Sequence, residues 1–222
     1  MITGMFSQDT IFQYLVRAMV LFTAMPIHEC AHGYVAYRLG DDTAYHQGRL
    51  TLNPFAHLDI LGGALLIFTG FGWAKPVQID TRRFAHPQRD IAISSLAGPA
   101  SNVLLALVVL IVFKLLLAFH VLYGLFSINV STVMVTMLNY MVVLNLYLAV
   151  FNMLPVPPLD GFKVFGSILP RKFYFFVLEY ERYITIAVFL LIFNGFFRGP
   201  IQGVSMLIYQ LLDLITRPLD WI

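Results

Sequence analysis

Charged residues are scarce in this chain, and their scarcity excludes most soluble folds. Only 12% of the 222 residues are charged, whereas 59% are hydrophobic, and the mean hydropathy is +0.78. Soluble domains carry about 25% charged residues, so this composition indicates several membrane-spanning segments. The net charge of +2 is small, and no basic patch is interleaved with aromatic residues, which argues against a nucleic-acid partner.

Cysteine is nearly absent too, since Cys30 is the single cysteine, and an internal disulfide is therefore excluded. The N-terminus lacks the basic region and the small-residue cleavage site of a secretory signal peptide. We therefore interpret the first apolar segment as a structural element. Twenty phenylalanines and eleven tyrosines fit lipid-facing surfaces and interfacial belts.

Long apolar segments predict an all-α polytopic membrane protein with about four to six membrane helices. We expect spans near residues 11–39, 91–119, 131–153 and 173–197, followed by a last apolar segment at 201–215. No repeat or separate soluble domain is visible. We expect one membrane domain over residues 1–222, with a core at 11–169 and C-terminal helices at 173–217.

The glycine-containing apolar segment at 61–71 is too short to cross a bilayer. We expect it to be a re-entrant element. Short alternating pieces around 48–51 and 75–79 predict two strands, which together would form a β-hairpin region after the first helix. Such strands would offer an edge to an unwound peptide.

A histidine-glutamate-histidine group lies inside the first predicted span. Burying an ionisable side chain in a bilayer costs several kcal/mol, so these residues need a strong partner. His28 and His32 are four residues apart, so a helix places both imidazoles on one face, within reach of one metal ion. Glu29 is placed to accept a proton from a water molecule that the metal activates. The alternative is a pair of histidines that are hydrogen-bonded inside a helix bundle.

A catalytic zinc ion usually has three protein ligands, so a third ligand is needed beside His28 and His32. Asp160 is the preferred candidate, because it follows a proline-rich break after a charge-free helix. The other candidates are His57, Asp59, Glu179 and Glu181.

Basic residues concentrate at 38–89 and 163–172, and the connector at 120–130 has none. The positive-inside rule then predicts that both clusters face the cytoplasm and that the N-terminus lies outside, provided that 61–71 does not cross.

Four motifs in order resemble those of the site-2 protease family of intramembrane zinc metalloproteases, peptidase family M50. The first resembles the zinc-binding helix of that family, and the others its Asn-Pro-x-x-His, Ala-Gly-Pro-x-x-Asn and Pro-Pro-Leu-Asp-Gly segments. They are the segments His28–His32, Asn53–His57, Ala97–Asn102 and Phe151–Gly161. The chain looks like the compact form of the family, without an inserted PDZ domain.

The resemblance implies one zinc ion held by His28, His32 and Asp160, with Glu29 as the general base and acid. It also implies that Asn152 lies near the metal and helps to bind the scissile carbonyl or its oxyanion. Asn102 and Asn145 are further substrate-binding candidates, or they only hold helices together. His57 either lines the substrate path or satisfies the turn after Pro54.

The predicted function is hydrolysis of a peptide bond within or near a transmembrane segment of a membrane-protein substrate. The expected partners are that substrate and the lipid bilayer, with the oligomeric state left open. We expect a multi-pass protein of a prokaryotic plasma membrane, with its active site nearer the cytoplasmic side. The alternatives are a divalent-metal transporter and a catalytically silent scaffold with the same fold.

Overall fold

The computed structural model of the chain describes residues 8–70 and 72–221. Residues 1–7 and 222 of the predicted domain, and Phe71 of the predicted re-entrant element, lie outside the described residues. The described part consists of α-helices and two short 3-10 helices, with no strand. The all-α prediction is therefore confirmed, and the two predicted strands are wrong for these residues. The segments 48–51 and 75–79 are turns and extended coil instead.

Twelve α-helices are formed within the described residues. They are α1 (Gln8–Phe22), α2 (Ala24–Arg38), α3 (Thr43–His46), α4 (Pro54–His57), α5 (Ile60–Thr69), α6 (Pro87–Ala118), α7 (Val121–Leu125), α8 (Ile128–Asn152), α9 (Asp160–Gly166), α10 (Arg171–Glu179), α11 (Glu181–Phe193) and α12 (Arg198–Thr216).

Three described helical segments are long and apolar enough to cross a membrane: Thr10–Arg38, which joins α1 and α2, then α6 and α8. Most residues in their apolar windows lie at the surface of the protein, as lipid-facing helices require. A bent pair, Glu181–Phe193 with Arg198–Asp220, makes a fourth span if it is counted as one. The described chain therefore reaches the lower end of the predicted four to six.

The predicted span at 173–197 is wrong as one continuous helix. The chain breaks near Tyr180, which separates α10 from α11, and α11 has only 13 residues. A helix of that length is about 20 Å long, which is shorter than a bilayer core of about 30 Å. A full crossing of the bilayer therefore requires α11 together with α12, after the bend between them.

The segment that contains α5 runs along α1 and returns to the place where it began. The amide of Lys75 donates to the carbonyl of His57 at 2.9 Å, so the two ends of the excursion meet. A Cβ at Gly62, near the start of α5, would lie 2.3 Å from the carbonyl oxygen of Trp73 on the returning side. Only a glycine lets the two backbones approach so closely. The excursion therefore begins and ends at the same place in the fold, as the predicted re-entrant element requires.

The long helix α6 organises the molecule by packing against α2, α8 and α9. One cluster of buried apolar side chains joins α6 to α8 and α12. Its members are Ala106, Val109, Leu110, Phe113, Val142, Leu146 and Leu212. The other contacts of α6 bring the histidine-bearing α2 and the aspartate-bearing α9 to the same region.

Candidate metal centre

The two histidines and the aspartate predicted as ligands converge on one point. Nε2 of His28 and Nε2 of His32 lie 3.0 Å apart, and Oδ2 of Asp160 lies 3.1 and 3.2 Å from them. Among the described residues, these three form the group of His, Cys, Asp or Glu that is able to hold a metal ion. His57, Asp59, Glu179 and Glu181 are not in this group. The three residues are 7–9% exposed.

Helix periodicity and the proline-rich break between α8 and α9 explain this convergence. His28 and His32 lie one turn apart on α2, with their rings nearly perpendicular and 4.6 Å between centroids. Asp160 is the first residue of α9, directly after the proline-rich segment that follows α8. Its carboxylate reaches the imidazoles across 128 residues of sequence.

The donor set fits a divalent cation. Nδ1 of His32 lies 2.7 Å from the Ser94 carbonyl oxygen, which only accepts, so Nδ1 carries the proton and Nε2 of the neutral ring keeps its lone pair. This nitrogen faces a second imidazole nitrogen and a carboxylate oxygen. Three acceptor atoms so close together repel each other unless a positive charge lies among them. Two imidazoles and one carboxylate are also an ordinary zinc ligand set.

Asn102 supports His28 instead of lining the cavity. Its side-chain nitrogen lies 3.2 Å from Nδ1 of His28, while its Oδ1 is buried without a partner. Turning the amide by 180° places Oδ1 on Nδ1 of His28, so that the ring donates from Nδ1 and the amide nitrogen takes the position without a partner. Nε2 of His28 is then free to bind a metal. This is the usual support for a metal-bound histidine.

One face of α6 therefore holds both imidazoles. Ser94, Gly98 and Asn102 follow each other at intervals of four residues, so they form a single stripe. A Cβ at Gly98 would lie 2.3 Å from Nε2 of His32 and 2.6 Å from Cε1 of His28. The glycine is required because the rings occupy that space.

Glu29, on α2 next to His28, lies in the same cavity as the three ligands. Its Oε2 accepts a hydrogen bond from the amide of Val77 at 2.9 Å. The cavity has a volume of about 160 Å³, and its other lining residues are Pro76, Val77, Ile79, Ser95, Asn152, Pro158 and Lys163. The predicted base, the predicted ligands and Asn152 are thus brought together.

The extended residues 73–80, here called the covering segment, pass over this cavity. Buried Arg49 holds them through hydrogen bonds to the carbonyls of Ala56, Lys75 and Pro76. At the far end, the amide of Asp80 donates to Asp41 at 2.7 Å. The covering segment is therefore fixed by side chains where strand pairing had been expected.

The exposed end of the covering segment carries a local ion pair. The side chain of Arg82 donates to both carboxylate oxygens of Asp80 at 2.8 and 2.9 Å. These hydrogen bonds lower the pKa of Asp80 to about 2, with a further contribution from the amide of Arg82. Asp80 thus remains ionised and accepts the Arg82 amide at the start of the following 3-10 helix.

Two of the predicted substrate-binding residues lie away from the cavity lining. Nε2 of His57 is 2.9 Å from the carbonyl oxygen of Thr51, so the ring forms a hydrogen bond within its own turn. Asn145 is fully buried and donates to the carbonyl of Met141, one turn earlier on α8. Both placements favour the structural alternatives that were left open for these residues.

Four residues of the site were not selected from the sequence: Ser94, Ser95, Val77 and Lys163. Pro99 has no amide hydrogen to donate to the Ser95 carbonyl four residues earlier, so the Ala-Gly-Pro motif marked an irregular helical turn there. The four-residue interval from Asn102 back to Ser94 was a further signal. Val77 could not be found, because it contributes a backbone amide.

A polytopic helical fold with a buried His-His-Asp group and an adjacent glutamate defines the class of membrane proteins with a hydrolase-type metal site. The chain belongs to peptidase family M50, whose family model matches residues 16–193.

Curated relatives agree with this family. YwhC of Bacillus subtilis, provisionally named a zinc metalloprotease, is 42% identical over 181 residues, which are 81% of this chain and 80% of YwhC. Rip2 of Mycobacterium tuberculosis and MJ0611 of Methanocaldococcus jannaschii carry the same provisional description. Rip2 is 28% identical over 85% of this chain and 69% of its own length. MJ0611 is 29% identical over 70% of this chain and 71% of its own length. No solved structure gives a significant match.

Proposed function

We propose that this protein is an intramembrane zinc metalloprotease that hydrolyses a peptide bond within or near a transmembrane segment of a membrane-protein substrate. The observation that carries the proposal is the convergence of His28, His32 and Asp160 beside Glu29, with both histidines in a helical segment long enough to span a bilayer. Family membership and the names of the relatives support the same activity.

The depth of the site supports hydrolysis below the membrane surface. His28 and His32 lie ten and six residues before Arg38, where the first span ends. At 1.5 Å per residue, these ligands are about 9–15 Å from that end. Water has to reach them through the polar cavity and not through lipid.

A zinc ion held by these ligands would supply Lewis-acid chemistry, since it polarises a carbonyl and increases the acidity of water. Glu29 accepts the proton from the attacking water and delivers it to the leaving amine. The Val77 amide orients the carboxylate for this transfer through Oε2. Two proton transfers by one carboxylate leave Glu29 ready for another cycle.

Asn152 is the proposed oxyanion donor. It lies in the cavity lining, and its side-chain amide donates one hydrogen to the Leu148 carbonyl at 2.9 Å. A carboxamide has two N–H groups, so a second donor remains for the developing negative charge. The bond to Leu148 fixes the direction of that donor.

The size of the cavity indicates how a substrate binds. A helix with its side chains is about 10–12 Å in diameter, so it does not fit into about 160 Å³. Only a locally unwound segment with free peptide groups is able to reach the ligands. The substrate class is therefore a transmembrane segment that unwinds near its end.

The proposed location is a prokaryotic plasma membrane, with the site nearer the cytoplasmic side. The matched relatives come from bacteria and an archaeon. Basic residues lie near the end of the first span and the start of α6 on the site's side of the membrane, including Arg38, Arg83 and Arg89. The positive-inside rule assigns this side to the cytoplasm.

A labelled transmembrane peptide tests the proposal in lipid nanodiscs. Wild-type protein is expected to cleave it, whereas Glu29→Gln keeps one equivalent of zinc and loses cleavage by at least about 100-fold. Glu181→Gln, a change of an exposed glutamate on α11, is the matched control and keeps cleavage. Zinc is measured by metal analysis, and cleavage by mass spectrometry.

The alternatives give different results in the same experiment. A metal transporter would carry zinc across vesicles at the same rate in wild type and Glu29→Gln. A catalytically silent scaffold would cleave nothing in either form. Either result would overturn the proposed function.

A further inference from the structure

A second, larger cavity adjoins the metal centre. It has a volume of about 300 Å³ and lies between α9, α10, the start of α6 and the 3-10 helix at Thr81–Arg83. Lys163 lines both this cavity and the one that contains the ligands. The two spaces therefore meet at this side chain.

The walls of this cavity, here called the Lys163 pocket, are largely apolar. Ile91, Leu169 and Phe175 contribute to them. Tyr174 forms another wall, where its ring stacks on Phe162 with centroids 5.3 Å apart and planes inclined by 5°. A Cβ at Gly166 would lie 2.7 Å from the Tyr174 ring, so the aromatic wall packs directly on α9. The volume of the pocket suits a small group.

Lys163 is the one charged side chain among the described residues that line this pocket, and none of those residues is acidic. The nearest carboxylate oxygen with which it pairs is Oδ1 of Asp160, at 4.0 Å. The other oxygen of Asp160 faces the two imidazoles. Because Asp160 is engaged by the metal centre, the ammonium group of Lys163 keeps positive charge for the pocket.

We propose that the Lys163 pocket binds a carboxylate of the substrate at a fixed distance from the scissile bond. This inference rests on the proposed protease function, because the pocket shares Lys163 with the proposed catalytic cavity. Apolar walls suit the methylene groups of the bound residue, and the lysine suits its charged end. The carboxylate comes either from an acidic side chain or from the C-terminus of the chain.

Charge-swapped peptides test this assignment. Each peptide of a labelled transmembrane set carries Glu, Gln or Lys at one of six positions around the middle of the peptide. Mass spectrometry locates the cleaved bond in each peptide. Wild-type protein is expected to prefer Glu over Gln by about tenfold at one fixed position. Lys163→Glu is expected to prefer Lys at that same position. Lys172→Glu reverses an exposed lysine outside the pocket lining, and it is expected to keep the wild-type preference.

Peptides that end as a free acid or as an amide distinguish the two sources of the carboxylate. Preference for an internal Glu assigns the pocket to an acidic side chain. Preference for the free acid over the amide assigns the pocket to the C-terminus of the chain, provided that Lys163→Glu reverses this preference and Lys172→Glu does not.

Two results would overturn the proposal. One is a Glu-to-Gln ratio that is equal in wild type and Lys163→Glu. The other is a dependence on phosphatidylglycerol in the nanodiscs that Lys163→Glu removes, with no change in sequence preference, because that result assigns the pocket to a lipid headgroup.

Binding separates this inference from the protease function. Fluorescence anisotropy of the same peptides on Glu29→Gln protein and on Glu29→Gln with Lys163→Glu measures the preference without cleavage. A charge preference in binding, with no cleavage by wild type, leaves the pocket assigned and removes the protease function. Cleavage without a charge preference supports the protease function and removes the assignment of the pocket.

Discussion

The backbone amide of Val77 donates to the carboxylate of Glu29 at 2.9 Å, which joins the covering segment to the proposed catalytic base. Hydrogen bonds to a charged group contribute about 1.5–3 kcal/mol. We predict that Val77→Pro, which removes this donor, decreases kcat by about tenfold or more and leaves zinc content unchanged. Val77→Ala keeps the amide and is expected to retain most of the activity. Equal losses in both variants would show that the side chain matters, and not the amide.

Asn102 is predicted to set the zinc affinity through His28. Loss of such a hydrogen bond to a metal-bound histidine typically weakens metal binding by about 10–100-fold. Asn102→Leu is therefore expected to lose zinc at a chelator concentration about 10–100-fold lower than wild type. The visible spectrum of the Co²⁺-substituted protein is also expected to change. Asn102→Asp keeps an acceptor oxygen and is expected to restore much of the affinity.

Asn139→Leu is the matched control for Asn102. Asn139 donates to Val135 of its own helix, so its loss is expected to leave zinc affinity unchanged. If Asn102→Leu binds zinc as tightly as wild type, Asn102 does not support His28.

Gly98→Ala is predicted to prevent normal zinc binding. The added methyl group would meet both imidazoles within 2.6 Å or less, so at least one ring has to move. We expect less than one equivalent of zinc after purification, measured by metal analysis. Gly203→Ala on α12 is the control, because an added Cβ there meets nothing within 4 Å. Full zinc occupancy in Gly98→Ala would contradict the packing of α6 on the ligands.

Arg49 is predicted to hold the covering segment. Arg49→Met removes the donors for three carbonyls, two of them in this segment. Faster hydrogen exchange at 73–80 is expected, together with lower activity. Arg38→Met, which changes an exposed arginine, is expected to leave exchange at 73–80 as it is in wild type. Unchanged exchange in Arg49→Met would mean that other contacts fix the segment.

The ion pair of Asp80 with Arg82 predicts a specific pH dependence. The pKa of Asp80 is about 2 in the folded protein, below its usual value of 3.8, so its stabilising effect is complete above pH 4 and disappears as pH falls through about 2. The difference in Tm between wild type and Asp80→Asn is expected to stay constant from pH 8 to 5 and to shrink between pH 4 and 2. A difference that shrinks already between pH 7 and 5 would contradict the lowered pKa.

The closeness of His28 and His32 could be predicted from the sequence, for a physical reason. Ionisable residues in an apolar helix need a partner, and a four-residue interval places His28 and His32 side by side. The spacing alone left Asp160 among several candidates. The contact across 128 residues selected it, and no local rule reaches that far.

The error on the strands has a different origin. Alternation of apolar and polar residues predicted pairing at 75–79, but alternation does not specify the partner. The side chain of Arg49 and the carboxylates of Glu29 and Asp41 take the hydrogen bonds that a second strand would have supplied. Such contacts depend on tertiary packing and leave no periodic signal.

The hydrogen bond between His57 and Lys75 makes α5 and its return a side branch of the fold. Extra residues inserted between α5 and the covering segment would lengthen this branch without changing the spacing between α2 and α6. A reporter group placed there would probe the surroundings of the branch while the candidate metal centre stays undisturbed.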